Sequence, residues 1–204
     1  QQDSGTTQVP NTAKAYPKIV SRVEKKIALP INNILDYGAG LGMGSDAMRD
    51  QGHKVDSYEP NTERWKGIKR PTFTKSAQIK GQYDLVMLMN VLNVLEPTLR
   101  DAVLDDVISK IAEGGSAVIG VRGWKGDVDQ AKNTEETGED KAVWVVKGDK
   151  KVYQKGYDGK ELVDYIRDRL PEGYTVSSFS AGKKGALIRR NTPHEAQQIG
   201  PTFN

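Results

Sequence analysis

A mostly parallel α/β sheet with helices on both faces is the fold class this 204-residue chain predicts. Three observations predict it. Short, mostly apolar segments at 33–37 (NILDY), 54–58 (KVDSY), 83–89 (YDLVMLM) and 116–121 (SAVIGV) alternate with stretches of helical spacing, as expected of strands buried on both faces beneath crossover helices. The first of them runs directly into glycines at 38, 40, 42 and 44. Two further strand-like segments, 174–180 and 185–190, are joined by a turn too short for a crossover, so the last strand should be antiparallel. Seven strands are expected in all.

The elements follow in order. Pro17 precedes Ile19, Val20, Val23 and Ile27 at helical spacing, and Pro30 closes that helix. A second helix of about 45–51 follows the glycines. The clearest helix is 97–113, where Leu99, Val103, Val107 and Ile111 recur every four residues beside Leu104 and Ile108, and Gly114-Gly115 stops it. Another begins near Asp158, with Glu161 completing a capping box and Leu162, Ile166 and Leu170 on its face. Between them, 122–140 is rich in Gly, Asp and Glu, and 142–146 and 151–154 flank Gly148-Asp149 as a hairpin outside the sheet, near its carboxyl edge. The organisation expected is a flexible tail over 1–13, one domain over 14–190 with an insertion at 122–157, and a second flexible tail over 191–204.

Composition narrows the chemistry. There is no cysteine, which excludes disulfides, thiolate zinc sites and thiolate nucleophiles. Two histidines, His53 and His194, leave little room for an imidazole relay or a metal site. Thirty Lys+Arg against 27 Asp+Glu give a net charge of +3, which leaves the partner open. No apolar run approaches the ~18 residues of a membrane span. The first residues carry no basic-then-apolar leader, so a cytoplasmic protein without a membrane partner is expected.

The informative motif is Asp36-Tyr37-Gly38-Ala39-Gly40-Leu41-Gly42-Met43-Gly44. Glycines at the end of a strand let the backbone turn sharply and approach a ligand closely, and the following helix aims N–H groups at it. The dinucleotide spacing G-x-G-x-x-G fits in neither register, since Met43 or Ser45 takes its last position, and no Gly-Lys-Ser/Thr follows. What remains is Asp-x-Gly-x-Gly-x-Gly, with Glu59 placed 23 residues after Asp36 at the end of the second strand, where a carboxylate can accept both hydroxyls of a ribose.

These residues resemble the class I S-adenosylmethionine-dependent methyltransferases over about residues 14–190. DYGAGLG matches their first motif, KVDSYEP their second, and YDLVMLMNVLNVLE the strand and turn flanking the transferred methyl. A narrower likeness is to a family of methyltransferase-like proteins associated with DNA phosphorothioation. It rests on VLNVLEP, Arg122 and YQKGYDGKELVDYI. The resemblance implies a Rossmann-like, class I methyltransferase sheet and S-adenosyl-L-methionine as cofactor. It implies that Asp36 orders the loop and the methionine ammonium, that Gly38, Ala39, Gly40 and Gly42 cradle the cofactor, and that Glu59, beside Pro60, holds its ribose. Tyr37 would present its ring near the sulfonium, and Asn90 and Val91 would border the methyl. After the third of the seven expected strands, which falls between 58 and 75, where the family often carries an acid or amide against adenine, this chain reads Lys75-Ser76-Ala77-Gln78, a departure.

Methyl transfer needs an aligned acceptor, and Asn90, at the end of a strand, can orient one but cannot remove a proton. Asn93 is one turn onward. Arg122, Trp124, Gln154, Lys155 and Tyr157 are the acceptor-side candidates. The missing cysteine excludes cytosine carbon-5 methylation by thiolate addition, and Asn90-Val91-Leu92-Asn93 lacks the prolines and aromatic of the familiar DNA amino-methyltransferases. Cations interleaved with Trp124 and Trp144 in the insertion favour a nucleic acid slightly over a small acceptor. A catalytically silent cofactor-binding module and a nucleotide-dependent oxidoreductase are the alternatives.

Overall fold

The computed structural model describes residues 10–182 and 184–199. Along the chain run α1 (Pro10–Ile27), β1 (Asn33–Tyr37), α2 (Met43–Asp50), β2 (Lys54–Tyr58), β3 (Tyr83–Met89), α3 (Pro97–Ser109) and β4 (Ile111–Val121). Then come β5 (Thr134–Glu136), β6 (Ala142–Lys147), β7 (Lys150–Lys155), α4 (Glu161–Arg167), β8 (Tyr174–Ser178), β9 (Lys184–Arg190) and α5 (Pro193–Ile199). The main sheet has six strands in the order β2-β1-β3-β4-β9-β8. β1 to β4 pair in parallel, and β9 lies antiparallel between β4 and β8. Both faces are covered. Val20, Val23 and Met48, from α1 and α2, pack with Ile34, Leu85 and Leu187 on one face. Leu104, Val107, Leu162 and Ile166, from α3 and α4, pack with Leu35, Val86 and Ile188 on the other.

The sheet has six strands rather than the seven expected. The third position is a single parallel bridge, Tyr58 to Phe73, held by Phe73 N–H to Ser57 C=O and Glu59 N–H to Phe73 C=O at 2.9 and 3.1 Å. Pro71 has no N–H to extend it, and Phe73 is flanked by exposed Thr72 and Thr74, so there is no apolar row to bury.

Three boundaries also differ. α1 starts at Pro10, because Ala13 and Tyr16 continue the buried stripe of Ile19, Val20 and Val23 one turn before Pro17. Ile111 belongs to β4, not to α3. Gly114-Gly115 forms a bulge across which the pairing shifts from Tyr83–Ile111 to Leu85–Ser116. A Cβ on Gly115 would lie 2.8 and 2.9 Å from the Ala112 and Tyr83 carbonyls. The expected C-terminal tail contains α5, begun by a capping box in which Glu195 N–H donates to the Thr192 hydroxyl and Thr192 N–H to the Glu195 carboxylate. The remainder of the two expected tails, 1–9 and 200–204, lies outside the described residues.

The hairpin of β6 and β7 joins β5 in a separate antiparallel sheet. β7 packs on the turn Leu92–Val94 that follows β3. Arg100, buried in α3, anchors this second sheet by two bonds to Glu139, at 2.6 and 2.7 Å, while the Tyr153 hydroxyl donates to the same carboxylate.

Candidate active site

The ends of β1 and β2 meet in register at Tyr37 and Tyr58. The Tyr58 carbonyl accepts the N–H groups of both Gly38 and Ala39 at 2.9 Å, which turns the chain out of the sheet. Gly40 N–H donates to Glu59 Oε1 at 2.7 Å and Asn61 N–H to Oε2 at 2.9 Å, so one carboxylate ties the glycine loop to the end of β2. Gly38 has φ +79°, and a Cβ there would strike Val91 at 2.6 Å. Gly40 has φ +61° and faces open space, with nothing within 4 Å of an added Cβ. That open face, between Asp36 and Glu59, is where a ligand can reach the loop backbone.

Asp36 is almost fully buried. The Ser45 hydroxyl, in the first turn of α2, donates to its Oδ2 at 2.6 Å, while Oδ1 is buried with no partner among the described residues. Burial pushes this carboxyl up to about 6, against the lowering effect of Ser45, and the charge of Glu59 adds to the rise. Glu59 is also raised, chiefly by burial, with the N–H groups of Asn61 and Gly40 opposing. A buried carboxylate oxygen lacking a donor is costly, and a cation or N–H donor on a ligand would satisfy it. Ser45 and Trp65 were not anticipated. Ser45 carried the signal of a hydroxyl in the first helical turn after the glycines. Trp65 carried none, yet its ring closes over Gly42, where a Cβ would approach within 2.5 Å.

Tyr37 is not aimed at a ligand. Its ring is buried against Tyr58, edge-on at 4.8 Å, and its hydroxyl donates to Asp106 of α3 at 2.6 Å. Alternation along β1 puts Tyr37 on the Leu35 face, so it is core. Ala39 is buried in the loop, and Pro60 is exposed next to Glu59. Gln78 closes its own turn, its side-chain oxygen accepting the N–H groups of Thr74 and Lys75. Asn90 sits at the end of β3, half-buried, with φ +59° and its N–H bonded to Gly120 C=O at 2.8 Å. Val91 covers Gly38. Asn93 is buried, its side-chain oxygen unpartnered among the described residues.

On the insertion side, Arg122 holds Asp127 at 2.6 Å and Gln154 at 3.3 Å. The Trp124 N–H is held by Asp158. Lys155 and Tyr157 are not available to an acceptor. The Lys155 ammonium is buried, bound to Asp140 C=O and Glu161 and lying 5.1 Å above the Tyr157 ring, and Tyr157 itself is core. Several of the cations that suggest a nucleic acid are paired: Lys151 with Glu135, Arg122 with Asp127, and Lys141 with Glu161 and Asp158. Among the described residues no group of three or more His, Asp or Glu could hold a metal, and no helix is long and apolar enough to cross a membrane.

Comparison with known proteins gives the family and the fold. The model of a methyltransferase domain matches residues 10–150. No curated protein matches the chain. Among solved structures, an S-adenosylmethionine-dependent methyltransferase from Clostridium acetobutylicum superimposes with a TM-score of 0.63 at 12% identity, covering 88% of this chain and 92% of its own. A sugar N-methyltransferase from Streptoalloteichus gives 0.64 at 11%, covering 94% and 96%. An amino pentose methyltransferase from Micromonospora echinaspora, with S-adenosylmethionine bound, gives 0.59 at 14%, covering 93% and 100%. At these identities the likeness shows the fold.

Proposed function

Since the chain belongs to the methyltransferase-domain family and is an S-adenosylmethionine-dependent methyltransferase, we propose that it methylates a small molecule at a site centred on Asn90. The observation that carries the reading is the open face at Gly40, flanked by the unpartnered oxygen of Asp36 and by Glu59. When bound, the cofactor would supply a methyl carbon activated by a sulfonium, to which an acceptor lone pair bonds as the carbon–sulfur bond breaks, its electron pair passing to the departing thioether and the acceptor's proton to solvent.

The chain's residues then bind and align. Glu59 has already accepted two backbone N–H groups, and its remaining lone pairs suit two ribose hydroxyls. Asp36 suits an ammonium. Gly40 permits close backbone approach, Gly38 and Gly42 shape the loop around it by making room for Val91 and Trp65, and Ala39 and Pro60 lie beside them. Asn90 orients the acceptor, with Arg122, Gln154 and Trp124 of the 122–157 insertion on its far side. Two things support a small acceptor over a nucleic acid: Arg122, Lys141, Lys151 and Lys155 of the insertion are paired with acids of the same chain, and sugar methyltransferases are among the proteins of similar fold. The narrower likeness, to the family associated with DNA phosphorothioation, belongs to this proposal too.

The test is calorimetry with S-adenosylhomocysteine, followed by incubation with methyl-labelled cofactor and cell extract separated into small molecules, nucleic acid and protein. Binding, with label in the small-molecule fraction, is expected. Label in nucleic acid would overturn the acceptor class, and absence of binding would overturn the site.

A further inference from the structure

On the far side of Asn90 from the glycine loop, the carboxyl edge of the sheet holds a cavity of ≈ 350 Å³ between the start of α4 and the turn joining β8 to β9. In the strand order the glycine loop belongs to β1 and β2, Asn90 to β3, and this cavity to β9 and β8 beyond β4. Its wall at Gly182 adjoins the end of β4, the strand beside β3. Gly182, in its wall, bridges to Val121, and a Cβ on Gly182 would lie 3.9 Å from both the Met89 methyl and the Gly120 Cα. Met89 precedes Asn90, and Gly120 accepts the Asn90 N–H.

The lining has two characters. Leu162 and Val163 of α4 form the apolar wall, while Phe179 and Ala181 of the turn direct their side chains to the α1 face and line the cavity with backbone. Ser178, Ser180 and Lys184 supply polar groups. Alternation along β8 and β9 puts Ser178 with Val176, and Lys184 with Ala186 and Ile188, on the α4 face, so the hydroxyl and the ammonium project beside Leu162 and Val163. Lys184 is the one charged residue of the lining among the described residues. It forms no ion pair or hydrogen bond among them. The acid that attracts it, Asp158, already accepts the N–H groups of Trp124 and Lys125 and faces Lys141. The side chains of Ser178 and Ser180 likewise have no hydrogen-bond partner among the described residues.

Resting on the reading of the chain as a small-molecule methyltransferase, we propose that this cavity is the acceptor site and that the acceptor carries an anionic group, carboxylate or phosphate, on an apolar body. An ammonium without an ion pair and two hydroxyls, facing the apolar wall of Leu162 and Val163 across a recess of this size, bind such a molecule in one orientation. Lys184 then determines specificity, and the acceptor's reacting atom faces Asn90.

Ligand-observed NMR with three probes of one shape, naphthoate, naphthalenemethanol and naphthylmethylamine, tests this with and without saturating S-adenosylhomocysteine. Naphthoate should bind about five- to tenfold more tightly than the alcohol, the discounted scale of a partly exposed charge-assisted contact, and the amine should bind least. Lys184→Ala should bring naphthoate to the level of the alcohol, and Lys184→Arg should restore the preference. Both variants should keep the parent's affinity for S-adenosylhomocysteine. Naphthoate that does not bind, binds no better than the alcohol, or is unaffected by Lys184→Ala would overturn the proposal. Loss of S-adenosylhomocysteine binding by the unaltered protein would instead overturn the underlying reading, and the probe series without it reports on the cavity separately. Because phosphate and carboxylate share this chemistry, naphthyl phosphate forms a fourth arm, and the tighter of the two anions identifies the acceptor's group.

Discussion

Replacing Glu59 by alanine should separate the cofactor's affinity from the integrity of the fold. A carboxylate offers about four acceptor positions. Two are taken, by Gly40 N–H at 2.7 Å and Asn61 N–H at 2.9 Å, which leaves two for a pair of ribose hydroxyls. Hydrogen bonds to a charged group contribute roughly 1.5–3 kcal/mol each, but water replaces part of that at a half-buried site. A net loss of about 1.5–3 kcal/mol in binding follows, or roughly 12- to 150-fold in Kd at about 1.4 kcal/mol per decade. The fold should suffer less. The two N–H groups freed are near solvent, so a cost of about 1 kcal/mol and a Tm lower by about 2–4 °C are expected. Glu59→Gln should resemble Glu59→Ala in binding, because the amide presents an N–H₂ to one of the two backbone N–H groups. Titration calorimetry with S-adenosylhomocysteine, beside differential scanning calorimetry, measures both quantities. If Glu59→Ala binds within twofold of the parent while its Tm falls by only a few degrees, Glu59 does not hold the ribose and the argument from lone pairs is wrong.

Other outcomes follow from the same geometry. The Asp36 carboxyl, pushed up to about 6 by burial, should make affinity for the cofactor's ammonium fall as pH drops through 6, and Asp36→Asn should flatten that profile. Stability runs the other way: a folded pKa above the unfolded one means that the folded state holds the proton more tightly, so its contribution is full below about pH 4 and lost as pH rises through 6. Asp36→Asn should therefore be more stable than the parent at pH 7, on the order of 2 kcal/mol, and equal stability in urea unfolding at pH 7 would contradict this. Gly40→Val adds a side chain into open space, so it should cost about 1–2 kcal/mol of stability for its positive φ while abolishing S-adenosylhomocysteine binding in calorimetry. Tyr37→Phe, losing the bond to Asp106, should lower stability by about 1–2 kcal/mol and leave cofactor affinity unchanged; weaker binding would return Tyr37 to the cofactor site. Arg100→Leu leaves the Glu139 carboxylate without its guanidinium, and chemical denaturation should show a loss of about 3–5 kcal/mol.

Local information along the chain was enough for the strands at 33–37 and 83–89, compact and mostly apolar runs, and for 54–58, bounded by Gly52 and Pro60. It was enough for the glycine loop and for Asp36 and Glu59 as well. Positive φ at Gly38, Gly40 and Gly42 is a property of single residues, and the two acids stand at strand ends that such a loop must bring together. The capping box at Thr192-Pro193-His194-Glu195 is legible too, although it lies in a polar end without an apolar stripe to mark a helix. Other features depend on partners far along the chain. Tyr37 became core because its hydroxyl reaches Asp106, 69 positions away. The insertion's positive charges lost their meaning once Lys151 met Glu135, Lys141 met Glu161 and Arg122 met Asp127. The third strand shrank to one bridge because an edge needs an apolar row to bury and Phe73 alone supplies none. The cavity beside Lys184 exists only because α4 and the β8–β9 turn dock on the same sheet edge. Backbone geometry is set by a few neighbouring residues. Which charge is neutralised, which ring is buried and which recess stays open are set by how distant elements pack, and no spacing within a segment encodes that.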